Sequence, residues 1–221
     1  MNEEIYQAAF LYCTDREKLQ LSPDSRIHLM YLNESFLNAT TRPDVSERIA
    51  IKMLGFNPKT EKHGLDGLPS TQRPNQYAEC KVITTTTERT NKIKRDCGRV
   101  TINDPSTNII SKYDNASTLF VFPLYIDGYL ISIFSVDWLV IKPVYLHKLE
   151  KQDNHNKTKQ DGKSALRSFS LTSTDWMSSA EIEFIYPSQT IAKQLLDKVS
   201  IPPDYKKRIY NHYEQLPNSA R

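Results

Sequence analysis

The sequence predicts a mixed α/β fold in which one central sheet is flanked by helices. Helical spacing of apolar residues marks both ends of the chain, whereas runs rich in Val, Ile, Phe and Tyr fill its middle. This order of helices, strands and again helices is typical of a sandwich around a single sheet. With 221 residues, of which 38% are hydrophobic and 25% charged, the chain is expected to form one globular domain, residues 1–221.

The N-terminal part, residues 1–56, is predicted to contain three helices. The first two are indicated by helically spaced residues: Ile5, Ala8, Ala9 and Tyr12, then Ile27, Met30, Tyr31, Glu34 and Leu37. The third is expected to begin at Pro43 and to stop near Gly55. Asp44 as N-cap and Glu47 three residues later have the spacing of a capping box.

Residues 57–147 are expected to form the core of the sheet. The predicted elements are strands at 64–68 and 77–84, a helix at 104–113 and a hairpin at 116–141. The polar run KQDNHNKTKQDGK, residues 151–163, predicts a surface loop. The C-terminal part, residues 165–221, is expected to hold a strand at 167–172 and helices at 188–199 and 203–216.

The apolar segment ASTLFVFPLYIDGYLISIFSVDWLVI is long enough to suggest a membrane span. Pro123 and Asp137 interrupt it, and Asp127-Gly128 lies at its centre. Such a dipeptide supplies the positive φ angles of a two-residue hairpin turn. Two buried strands therefore explain the segment better, and no membrane association is expected.

Charge and cysteine content narrow the class of protein. A net charge of +3 permits a polyanionic partner without requiring one. Cys13, Cys80 and Cys97 form no CxxC pair, which argues against a disulfide framework and against a thiolate zinc site. The N-terminus lacks the basic and apolar regions of a secretory signal, so a cytoplasmic location is expected.

Three residues around the second predicted strand form the candidate site. Because side chains alternate along a strand, Glu79 and Lys81 share one face, while Ala78, Cys80 and Val82 face the core. Asp66 comes beside Glu79 if its own strand pairs with this one. Two converging carboxylates suit Mg²⁺ or Mn²⁺ better than zinc, and a nearby lysine can orient or deprotonate a water or steady phosphate charge.

Asp66 followed by Glu79-Cys80-Lys81 resembles the motif of the PD-(D/E)XK nucleases, with Leu65 in place of the usual proline. The resemblance covers residues 44–138 and is closest to the type II restriction endonucleases. It implies a restriction-endonuclease-like central mixed sheet, a homodimer, and Mg²⁺-dependent hydrolysis of double-stranded DNA to 5′-phosphate and 3′-hydroxyl ends. It also implies a catalytic role for Glu47, on the helix before the aspartate.

Each of these assignments has a structural alternative. Glu47 could serve only the capping box, and Glu79 with Lys81 could be an ion pair on a solvated face. Two further acidic-x-Lys triplets exist: Asp161-Gly162-Lys163 in the polar run and Asp204-Tyr205-Lys206 at a predicted helix start. Neither lies on a strand with an apolar opposite face, so we select the triplet at Glu79.

A basic cluster follows the motif and consists of Arg89, Lys92, Lys94, Arg95 and Arg99. It could contact a DNA backbone and base edges, or it could be a solvated charged loop. Two function classes remain open, a metal-dependent endonuclease and a non-catalytic DNA-binding protein. The absence of a recognisable DNA-binding motif weakens the second. Within the first, a junction resolvase or a repair nickase would use the same three residues.

Overall fold

The computed structural model describes residues 43–59, 65–87, 99–103, 107–158 and 168–215, together with Leu11, Cys13 and Thr14. The strands, in chain order, are β1 (Asn57–Pro58), β2 (Gly67–Leu68), β3 (Gln76–Cys80), β4 (Ile83–Thr85), β5 (Val100–Asn103), β6 (Ser117–Ile126), β7 (Tyr129–Asp137), β8 (Ser168–Leu171) and β9 (Glu181–Ile185). The helices are α1 (Pro43–Met53), α2 (Thr107–Asn115), α3 (Trp138–Thr158), α4 (Ser173–Trp176), α5 (Gln189–Lys198) and α6 (Pro203–Gln215).

The central sheet is mixed. Its strands lie in the order β1-β2-β3-β6-β7-β9, and β4 also pairs with β6. The pairs β3–β6 and β4–β6 are parallel, whereas the remaining pairs are antiparallel. A second, two-stranded sheet is formed by β5 and β8. The predicted class, a mixed α/β fold with a central sheet flanked by helices, is thus confirmed.

Strand β6 is apolar from Leu119 to Ile126 because both of its faces are buried there. Phe120, Phe122 and Leu124 point into the larger core, which also contains side chains of α2, α3, α5 and α6. Leu119 and Val121 point to the opposite face, into a smaller core shared with α1. The sheet is therefore covered by helices on both sides.

The predicted hairpin is confirmed, with its turn at Asp127-Gly128. Both residues have positive φ, 49° for Asp127 and 76° for Gly128. The turn is fastened from outside, since the Asp127 carboxylate accepts hydrogen bonds from the amide and hydroxyl of Thr87. The hairpin is shorter than predicted, because Trp138 begins α3 instead of continuing β7.

The prediction of a surface loop at 151–163 is wrong for its first part. Helix α3 continues through Lys151 and ends at Thr158, and residues 159–163 lie outside the described ranges. Gln152 is buried, so this polar run has an inward face. The Lys and Gln residues of this run are good helix formers. A prediction based on polarity alone does not take this preference into account.

The strand predicted at 77–84 is present as two strands, β3 and β4, in one register. Cys80 pairs with Val121 and Ile83 with Leu124, so the spacing along β6 is unbroken. Between them the Lys81 amide still donates to the Val121 carbonyl oxygen at 2.8 Å. The ladder is interrupted only where Lys81 and Val82 lie, next to the candidate site.

Other predictions have mixed outcomes. The helices predicted at 188–199 and 203–216 are confirmed as α5 and α6, and within the described residues the helix predicted at 104–113 is α2. The strand predicted at 167–172 is β8, which joins the small sheet and not the central one. Strands β1, β5 and β9 had not been predicted. Most of the first two predicted helices lies outside the described residues.

Candidate functional site

Asp66 is brought to the site by the pairing of β2 with β3. The two strands are antiparallel with Gly67 opposite Ala78, and the Asp66 amide donates to the Ala78 carbonyl oxygen at 2.9 Å. A Cβ atom on Gly67 would lie 2.9 Å from that of Ala78. Glycine thus permits the close approach of the strands that places Asp66 beside Glu79.

The Asp66 carboxylate is held in a fixed direction. Its Oδ2 accepts a hydrogen bond of 2.7 Å from the Cys80 amide. Cys80 itself is fully buried in the smaller core with Ala78, as the strand alternation predicted, and Val82 packs against that core. The backbone of β3 therefore orients the carboxylate of Asp66, and the same strand supplies the second carboxylate of the site, that of Glu79.

Glu79 and Lys81 form an ion pair, with Lys81 Nζ 2.5 Å from Glu79 Oε1. The pair does not lie on a solvated face, because the Glu79 side chain is only 10% exposed and that of Lys81 22%. Glu79 lies on the same face of the sheet as its partner Phe120, towards the larger core. Glu79 and Lys81 do form an ion pair, but the predicted alternative of a pair on a solvated face is wrong because both side chains are largely buried.

The ion pair forms one wall of a cleft of about 170 Å³. The opposite wall comes from β5 and α2, elements far along the chain from β3. The polar residues that line the cleft are Glu79, Lys81, Thr101, Asn103, Lys112 and Tyr113. Lys112 is exposed, and its charge lowers the pKa of Asp66, so α2 contributes a cation to the electrostatics of the site.

The two carboxylates oppose each other electrostatically. Burial, and then the charge of Glu79, raise the pKa of Asp66 to about 6, against the lowering effect of Lys81. For Lys81, burial alone would lower the pKa, but the charges of Glu79 and Asp66 outweigh it and raise the pKa. Lys81 is therefore an ammonium group here, which favours charge stabilisation over proton abstraction.

We expect Asp66→Asn to stabilise the protein at pH 8 in the absence of divalent cations. Because the pKa of Asp66 is raised on folding from 3.8 to about 6, its contribution is present below about pH 4 and lost as the pH rises through about 6. Asparagine keeps the acceptor for Cys80 and carries no charge. Urea unfolding in EDTA should give a gain of about 1 to 3 kcal/mol at pH 8 and little difference at pH 4. A loss of stability at pH 8 would contradict the repulsion between Asp66 and Glu79.

Glu47 lies on α1, half-buried, and its charge raises the pKa of Cys80 and also contributes to that of Lys81. Helix α1 begins at Pro43, so Asp44 lies inside the helix and does not occupy the predicted N-cap position. Within the described ranges, no three His, Cys, Asp or Glu side chains are grouped closely enough to hold a metal ion. Glu47 thus lies near the site, and its catalytic role stays a prediction.

The donor set of the site fits a hard divalent cation. Asp66 and Glu79 each use one oxygen in a hydrogen bond, to Cys80 and to Lys81 respectively. A cation shared by the two remaining oxygens would relieve the repulsion between the carboxylates. Oxygen ligands suit Mg²⁺ and Mn²⁺. Asp66 and Glu79 are the residues that would hold such an ion.

The predicted basic cluster is described only at its end. Arg89, Lys92, Lys94 and Arg95 lie outside the described residues. Arg99 is exposed and directly precedes β5, and Thr101, two residues further on, lines the cleft. Among the competing triplets, Asp204-Tyr205-Lys206 lies in α6 with Tyr205 buried, as expected for a helix, and Asp161-Gly162-Lys163 is outside the described part.

The residues of the opposite wall are not predicted by the sequence. Tyr113 and Lys112 were assigned only to a helix, and Thr101 and Asn103 to no element. Buried and exposed residues alternate along β5, but only Val100 and Ile102 are buried, so the signal consists of two residues in a four-residue strand. Such a signal is too short to be found beside a basic run.

The chain matches no protein-family model and no curated protein sequence. In the part of the chain that the structure describes, no helix is both long enough and apolar enough to cross a membrane.

Proposed function

We propose that the chain is a Mg²⁺-dependent endonuclease that hydrolyses phosphodiester bonds of double-stranded DNA, as a type II restriction enzyme does. The observation that carries this proposal is the pairing of β2 with β3, which brings Asp66 beside the strand that carries Glu79 and next to the Glu79–Lys81 ion pair. The mixed central sheet is in keeping with a restriction-endonuclease-like fold. The motif resemblance supplies the reaction class.

Each of the three residues has a role that follows from its surroundings. Asp66 and Glu79 bind the cation, and the backbone amide of Cys80 and the ammonium of Lys81 fix their orientation. When bound, Mg²⁺ supplies Lewis-acid stabilisation of the phosphate and a water of lowered pKa. The Lys81 ammonium steadies the negative charge that develops on the phosphate oxygens.

The surroundings of the cleft suit a polyanionic substrate. Lys112 lines the cleft, and Arg99 lies two residues before its wall. The rest of the basic cluster follows β4 in sequence and precedes Arg99. We assign these cations to contacts with phosphates on either side of the scissile bond, where they would contribute affinity and not sequence readout.

We expect the protein to be a homodimer. A single site cuts one strand, so a symmetric dimer is the simplest arrangement for cutting both strands of a palindromic duplex. Light scattering, with and without a DNA duplex, measures this directly. A monomer under both conditions would favour a nickase over a restriction enzyme.

Incubation of the purified protein with plasmid and phage DNA in Mg²⁺, followed by gel electrophoresis, tests the proposed function. Discrete fragments are the expected result. A smear would indicate a non-specific nuclease, and nicked circles a nickase. Uncut DNA that is retarded on a native gel would support the alternative of a non-catalytic DNA-binding protein.

A further inference from the structure

The small sheet of β5 and β8 has two chemically different faces. Its inward face is apolar and packs on the larger core with Val100, Ile102, Phe169 and Leu171. Residues directly opposite each other in an antiparallel pair lie on the same face. The outward face is therefore formed by two cross-strand pairs, Thr101–Ser170 and Asn103–Ser168. We refer to these four residues as the ribbon face.

The ribbon face extends into the cleft of the candidate site. Thr101 and Asn103 are exposed and line the same cleft as the ion pair of β3. With about 170 Å³, this cleft is smaller than the pockets of about 300 to 1,000 Å³ that enclose small-molecule ligands. It suits part of a polymer better than a whole small molecule. Under the proposed function that part is the DNA strand at the scissile bond, so β5 lies beside the neighbouring bases.

The side chains of the ribbon face are neutral, whereas cations lie at its borders. Hydroxyl and amide groups both donate and accept hydrogen bonds, and base edges in the major groove present both donors and acceptors. Lys112 lines the cleft, and the exposed Arg99 directly precedes β5. Cations suit phosphates. This division between neutral and cationic groups matches the division of protein–DNA contacts into base readout and backbone contact.

The strands of the ribbon are fixed to α3. The ring of Phe169 packs edge-on against that of Tyr145, with centroids 4.9 Å apart. Lys148 Nζ donates to the Ser170 carbonyl oxygen at 2.9 Å and forms an ion pair with Asp175 at 2.6 Å. A binding surface built on supported strands holds its side chains more precisely than one built on loops. The ribbon face therefore presents its short side chains from a fixed backbone.

We propose that the ribbon face reads base edges in the major groove beside the scissile bond and determines sequence specificity. The proposal rests on the proposed function, from which it takes the DNA substrate. The major groove is about 12 Å wide and admits a two-stranded β-ribbon, and a strand of four residues is about 13 Å long. The amide of Asn103 matches the N6 and N7 edge of adenine, whereas the hydroxyls of Thr101 and the two serines bond to several bases.

Selection of binding sites from a random-sequence DNA duplex pool tests this proposal. Ca²⁺ replaces Mg²⁺, so that binding is measured without cleavage. We expect the wild-type protein to select one sequence with an A·T pair read by Asn103. Asn103→Ala should lower discrimination at that pair about 5- to 100-fold and leave affinity for unrelated DNA within about twofold. Asn103→Asp should prefer cytosine there, because a carboxylate accepts from its N4 amino group.

Lys112→Ala and Asn211→Ala are the control variants, and circular dichroism checks that every variant is folded. Lys112→Ala should weaken binding to all sequences alike and lower the slope of log Kd against log salt by about one. Asn211 is exposed on α6 and lies outside the cleft lining, so Asn211→Ala should select the wild-type sequence. An unchanged selected sequence in both Asn103 variants would overturn the proposal, as would the absence of any selection by the wild-type protein.

Cleavage of the selected duplex in Mg²⁺ separates this proposal from the proposed function. If the protein selects a sequence through Asn103 but cuts no DNA, the nuclease assignment fails and the role of the ribbon face is upheld. If it cuts DNA without sequence preference, the nuclease assignment is upheld and the role of the ribbon face is overturned. If it neither binds nor cuts DNA, both proposals are overturned.

Discussion

Replacing either carboxylate, in Asp66→Ala or Glu79→Ala, is expected to lower the rate of DNA cleavage by about 1,000-fold or more. Each substitution removes one of the two residues that would hold the cation. Folding should survive, because neither side chain belongs to the apolar core on which the sheet packs. Single-turnover cleavage of a duplex in Mg²⁺ gives the rate, and circular dichroism checks the fold.

DNA binding by the two variants distinguishes a catalytic from a structural role. Loss of a carboxylate removes repulsion from the phosphates, so affinity should be unchanged or higher. Asp161→Ala, in a competing acidic-x-Lys triplet, serves as control and should cut normally. Cleavage within about tenfold of the wild-type rate in Asp66→Ala would contradict the assignment of the site.

Removal of divalent cations should abolish cleavage. The site presents only oxygen ligands, so activity in EDTA is expected to fall to background and to return with Mg²⁺ or Mn²⁺. Ca²⁺ should support DNA binding with little or no hydrolysis. Time courses of plasmid cleavage in excess EDTA, and after addition of each cation, measure this effect.

The same cleavage assays, in EDTA and after addition of each cation, would also reveal a mechanism other than the proposed one. Robust cutting in excess EDTA would exclude a catalytic role for a cation at Asp66 and Glu79. Zinc-only activity would point to ligands other than these carboxylates, since zinc prefers nitrogen and sulfur donors. Either result would contradict the proposal that Asp66, Glu79 and Lys81 carry out Mg²⁺-dependent hydrolysis.

Local signals in the sequence predicted the strand that carries the site. The alternation of side chains along the strand predicted Ala78 and Cys80 in the core and Glu79 on the opposite face. The structure confirms the positions of all three residues. The hairpin at Asp127-Gly128 was predicted from a turn that requires positive φ. Such features depend on residues adjacent in sequence, so one chain suffices to find them.

The cleft could not be predicted because its second wall comes from distant elements. Tyr113 and Glu79 line the same cleft although they belong to α2 and β3, and Asp114 joins α2 to Trp138 and Lys142 of α3. The extension of α3 through residues 151–158 was likewise missed, since its polar composition conceals the inward position of Gln152. Docking of helices is set by contacts that no local pattern records.

The proposed site requires Lys81 and not another lysine that follows an acidic residue by two positions. Lys206 is the matched choice, because it follows Asp204 by two positions and makes a surface ion pair with Asp197 at 3.5 Å. A surface pair of this kind contributes only about 0 to 1 kcal/mol to stability. Loss of the Lys206 ammonium should therefore have no effect on cleavage.

The most direct measurement compares Lys81→Ala with Lys206→Ala in one single-turnover cleavage assay, at saturating protein and equal Mg²⁺. We predict that Lys81→Ala lowers the cleavage rate by about 1,000-fold or more, while Lys206→Ala cuts at the wild-type rate. Wild-type cleavage by a folded Lys81→Ala protein, or a loss of activity in Lys206→Ala alone, would contradict the assignment of Asp66, Glu79 and Lys81 as the catalytic site.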